Sequence, residues 1–100
     1  MSARQRLRNL CVVYVDEDEV LQRPDLMSAT IAYLDALVVE MRYDMPRMQQ
    51  AWLVYSPQLP RVEQGRVIPE YRFEIQTTNG FVPEFVGARF VKEDGMRRAA

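Results

Sequence analysis

The chain predicts an α+β domain: a two-layer sandwich with one long helix on a mostly antiparallel four-stranded sheet, in the order β-α-β-β-β. Three observations lead there. Asn9–Val15 is β-branched and almost continuously apolar, as in a central strand covered on both sides. Met27, Ile31, Leu34, Val38 and Met41 recur at spacings of four and three, the period of an amphipathic helix. Glu70–Gln76 alternates apolar and polar residues strictly, the period of a strand with one buried and one wet face.

Taken in order, residues 1–8 read as a basic lead-in carrying Arg4, Arg6 and Arg8, and one domain occupies 9–92. Asp16-Glu17-Asp18-Glu19 ends the first strand; four consecutive acids point in different directions and read as a solvated turn rather than a metal site. Val20–Arg23 is a connector. Pro24 and Asp25 open the helix, since proline is tolerated in the first turn and an acid is favourable at the positive end of the dipole. The apolar stripe carries it from near Asp25 to Tyr43, with a second apolar side made of Ala29, Ala32, Ala36, Val39 and Tyr43. Asp44-Met45-Pro46 stops it, because a residue before proline avoids the α region.

Ala51–Tyr55 is a second strand by composition, with Trp52 directed to the core. Ser56–Gln64 contains Pro57 and Pro60 and reads as an irregular loop, and Arg66–Ile68 reads as the start of the next strand. Asn79-Gly80 marks a hairpin turn. A loop of Thr78-Asn79-Gly80 with Gly80 in a left-handed bulge position sets Phe73 opposite Phe85, Ile75 opposite Pro83 and Tyr71 opposite Gly87. That register puts Glu74 opposite Glu84 on the other face, beside Arg72, Gln76, Val82 and Val86. A polar tail, 93–100, contains Arg97 and Arg98.

Composition narrows the function. The 100 residues hold no histidine, which removes Ser-His-Asp triads, Cys-His pairs and imidazole metal sites. The single Cys11 sits in an apolar run and reads as a buried, inert thiol. No phosphate-binding loop, nucleophile elbow or zinc spacing is present, so no enzyme, cofactor or metal is expected. The apolar runs are too short to span a bilayer, and the expected location is the cytoplasm, or a virion if the source is a phage. Twelve arginines against the one Lys92 fit a GC-rich bacterial or phage genome.

A sheet with one helix cannot cover both of its faces, and this motivates a partner. The chain is expected to be a small non-enzymatic interaction or assembly module, most simply a homodimer. Its candidate interface is Arg72, Glu74, Gln76, Val82, Glu84 and Val86 on the open sheet face, with Val39 and Tyr43 on the second helix side. A nucleic-acid-associated regulator is the alternative, with Arg4, Arg6, Arg8, Arg97 and Arg98 gripping phosphates. The net charge of −1 supplies no field for that role.

Overall fold

The computed structural model describes residues 9–63, 65 and 67–93. Five strands form one mixed sheet: β1 (Leu10–Val15), β2 (Leu37–Asp44), β3 (Gln49–Tyr55), β4 (Glu70–Thr77) and β5 (Phe85–Lys92). Two short helices, α1 (Glu17–Gln22) and α2 (Pro24–Tyr33), lie between β1 and β2 in the chain. The strand order is β2-β3-β1-β4-β5. Antiparallel hairpins β2–β3 and β4–β5 therefore flank β1, which runs antiparallel to β3 and parallel to β4. The apolar β1 is central, and the predicted four-stranded sheet under one long helix is replaced by five strands and two short helices.

The long helix fails at its second half. Helix α2 ends at Tyr33, and Asp35 takes a left-handed φ of 51°, which aspartate tolerates better than most residues. Residues 37–44 then extend as β2, as their β-branched and aromatic content favours. A bulge between Val38 and Glu40 explains the false period: it puts Val38 opposite Val54 and Met41 opposite Trp52, on one face three residues apart. A bulged strand has here reproduced the i, i+3 spacing of a helix. Upstream, the acidic run is not a turn but the N-cap and first turn of α1, where carboxylates suit the helix dipole.

The core lies on the sheet face that carries the helices. Cys11, Val13 and Val15 of β1 meet Trp52 and Val54 of β3 and Tyr71 of β4, with Met27 above and Leu59 entering from the β3–β4 connection. Trp52 is buried, and its indole N–H donates to Gln50 Oε1 at 2.8 Å. Fully buried Ser56 donates its hydroxyl to the carbonyl of Leu34 at 2.7 Å, fixing the point where the chain leaves α2 for β2. Burial pushes the Cys11 thiol up to about 12, so it is an inert core group.

The β4–β5 hairpin also departs from expectation. Phe73 pairs with Phe90, Ile75 with Ala88, Tyr71 with Lys92 and Glu74 with Arg89. The connection is the longer 78–84 segment, closed by Thr78 N–H to Glu84 carbonyl at 2.9 Å and Glu84 N–H to Thr78 Oγ1 at 3.0 Å. Gly80 has no positive φ, so the tight turn with a glycine bulge does not form. The observed register makes two apolar core-facing pairs, Phe73–Phe90 and Ile75–Ala88, and replaces a like-charge pair by the Arg89–Glu74 ion pair at 2.7 Å.

Candidate interaction surface

Strand alternation sorts the sheet into two faces. On the helix-free face, Leu10, Val12 and Tyr14 of β1 sit opposite Tyr55, Leu53 and Ala51 of β3 and are half-buried. Around this apolar centre runs a rim of charge. Arg42 pairs with Glu40 at 3.0 Å, Arg72 with Glu93 at 3.9 Å and Arg89 with Glu74 at 2.7 Å. Tyr14 donates to Glu70 at 2.9 Å while the Arg47 guanidinium lies 4.2 Å from the Tyr14 ring centroid. Burial, then the hydrogen bond to Glu70, raises the pKa of the Tyr14 phenol.

The helix-bearing face is unevenly covered. Helix α2 lies against β4 and β5, and its N-terminus is tied to the 78–84 loop by Arg23 Nη2 donating to the Pro83 carbonyl at 3.2 Å. Tyr33 packs edge-on to Phe85, with centroids 5.6 Å apart. Toward β2 the helices stop short. An apolar groove of about 530 Å³ opens there, with Val20, Met27 and Ile31 on one wall and Val38, Met41 and Trp52 on the floor.

The groove runs out to β2, an edge strand of the sheet. Leu37, Val39, Met41 and Tyr43 on β2 are exposed, as are Met45 and Met48 in the following turn; Met41 is 60% and Met45 68% exposed. Asp44 holds the turn by accepting from the Arg47 backbone N–H at 3.3 Å. The opposite edge, β5, carries exposed Val86 together with Arg89 and Lys92, as β2 carries Glu40 and Arg42 among its exposed residues.

The expected interface residues divide accordingly. Arg72, Glu74 and Gln76 do share the helix-free face of β4. Val82 and Glu84 lie in the 78–84 loop rather than on a strand, and Val86 is an exposed residue at the β5 bulge. Glu74 and Glu84 are not partners, because the register places Arg89 across from Glu74 and draws that carboxyl below its usual range through their hydrogen bond. Val39 and Tyr43 are exposed, but on edge strand β2 and not on a helix. Arg4, Arg6, Arg8, Arg97 and Arg98 lie outside the described residues. Sequence reasoning missed Leu37, Met41, Met45 and Met48 as a surface group. The usable signal was the run Leu37-Val38-Val39, with Tyr43, in a segment bounded by Asp35 and Pro46.

Among the described residues no group of three or more His, Cys, Asp or Glu is placed to hold a metal ion, and no helix is long and apolar enough to cross a membrane. No protein-family model matches the chain, and no curated protein or solved structure is significantly similar to it.

Proposed function

We propose that this chain is a small non-enzymatic interaction or assembly module that associates with a second copy of itself. The observation that carries the reading is the concentration of exposed apolar side chains on one edge of the sheet: Leu37, Val39, Met41 and Tyr43, continued by Met45 and Met48. Exposed apolar side chains along a strand with an unpaired edge are unfavourable in water, and pairing with another chain relieves this. The groove beside it offers apolar walls that a partner's side chains can enter. The arginine-rich composition suits an accessory or virion protein of a bacterium or phage, working in the cytoplasm or in an assembled particle.

Light scattering over a dilution series tests the proposal. A dimer or larger species at about 100 µM that dissociates toward low micromolar concentration is the expected result. A strict monomer throughout overturns self-association.

A further inference from the structure

Resting on the self-association reading, we infer that two copies join edge to edge through β2, antiparallel, about a twofold axis that passes beside Met41. Two identical strands can pair antiparallel around a twofold axis only when the axis stands perpendicular to the sheet. Helix-bearing faces then stay on the same side, and the axis meets the ladder at one residue that faces its own copy. The choice of that residue is set by charge. With Met41 at the centre, Glu40 lies opposite the partner's Arg42, and Arg42 opposite the partner's Glu40. A centre at Glu40 sets Glu40 against itself. A centre at Arg42 sets Arg42 against itself and Glu40 against the partner's Asp44. Like charges directly opposed across strands are unfavourable, so both are rejected. A centre at Tyr43 runs off the strand, which ends at Asp44, and would need Pro46 in the ladder.

Several features of β2 agree with the Met41 register. Residues 40–44 form a regular ladder with β3, so the backbone around the axis is straight and the bulge lies to one side. Glu40 and Arg42 face the helix-free side and are both exposed, so the crossed ion pairs remain in water and avoid the cost of burying charge. Their present bridge within one strand, at 3.0 Å, is exchanged for two between strands. On the helix-bearing side Met41 meets the partner's Met41, and Tyr43 comes against the partner's Val38–Val39 bulge. The two apolar grooves, each floored by Val38, Met41 and Trp52, then join across the axis into one strip. Pairing through the whole helix-free face is the less favourable arrangement. It would press Arg72, Arg89, Glu74, Glu40 and Arg42 out of water together.

Cysteine scanning with charge exchange tests this. In the proposed register the two Met41 Cα atoms stand about 4.5–5.5 Å apart, within disulfide range. Met41→Cys is therefore expected to form an interchain disulfide under oxidised glutathione. Arg42→Cys is not, because its copy lies about 8 Å away along the ladder. Wild type, whose Cys11 is buried, serves as the uncrosslinked control. Glu40→Arg is expected to weaken dimerisation about tenfold, and adding Arg42→Glu to restore it. Each variant is checked for native circular dichroism. Selective crosslinking at position 41 with charge rescue supports the inference. A wild-type dimer without either overturns this interface while leaving self-association standing. A wild-type monomer overturns both.

Discussion

The β4–β5 hairpin lies under α2, anchored to it by Tyr33 on Phe85 and by Arg23 on the Pro83 carbonyl. Its core face is a chain of ring contacts, Phe73 with Trp52 and Phe90, and Phe90 with Tyr71, at centroid separations of 5.7–6.5 Å. The β2–β3 hairpin on the other side of β1 has strands of similar length but no helix drawn over its outer member. Its apolar residues on β2 stay exposed, and the space beside them is a groove. The helices thus pack over one half of the sheet and leave the edge strand of the other half uncovered, although Phe81, Val82 and Val86 are exposed at the β4–β5 hairpin as well. Helix α2 is only ten residues long and cannot cover both hairpins.

This contrast makes mutations in the two halves separable. Phe73→Ala or Phe90→Ala removes a ring from the packed cluster and is expected to cost about 3 kcal/mol, read by urea unfolding at low protein concentration. Met41→Ala, measured the same way, should stay within about 0.5 kcal/mol, since the side chain has no core to leave. Equal losses in the two halves would break the comparison.

A buried hydrogen bond sits where the halves meet. Ser56→Ala leaves the Leu34 carbonyl without its hydroxyl donor and is expected to cost about 1–3 kcal/mol. A neutral result would mean that the α2–β2 junction is not held by this contact.

Cys11 supplies a pH test of the shared core. Its native value, about 12, is raised above the ordinary 9.0, so its contribution is fully present below pH 9. As pH rises from 9 toward 12 the unfolded thiol ionises first and stability falls, at up to about 1.4 kcal/mol per pH unit from this group. Cys11→Ala should flatten that part of the profile, and the native thiol should resist Ellman's reagent at pH 8.

The smallest effect belongs to the exposed ion pair across β4 and β5. Glu74→Gln should leave the unfolding midpoint at pH 7 essentially unchanged, as for most solvated pairs. The Glu74 carboxyl lies below its ordinary range, so its small contribution is present above that range and is lost as pH falls through the native value.

The legibility of this fold in its sequence follows the same division. Strand β1, the start of α2 at Pro24, Trp52 in the core and strand β4 were readable because each rests on local signals that tertiary structure reinforces. Strand β2 was not, because its bulge spaces Val38 and Met41 as a helix would, and Asp35 gives little warning that the helix stops. The β4–β5 register was misread from Asn79-Gly80, a strong turn signal overridden when Phe73 and Phe90 pair and the loop lengthens to accommodate them. The charged residues of the helix-free face were legible in β4, whereas the apolar edge depends on where α2 ends, a tertiary outcome that short-range pattern does not carry.

Amide hydrogen exchange on the two edge strands, followed as a function of protein concentration, tests the central claim most directly. The account predicts that residues 39–43 of β2 gain protection as concentration rises toward about 100 µM while the β5 edge exchanges at an unchanged rate. Concentration-independent exchange along β2, or protection appearing at β5 instead, would contradict it.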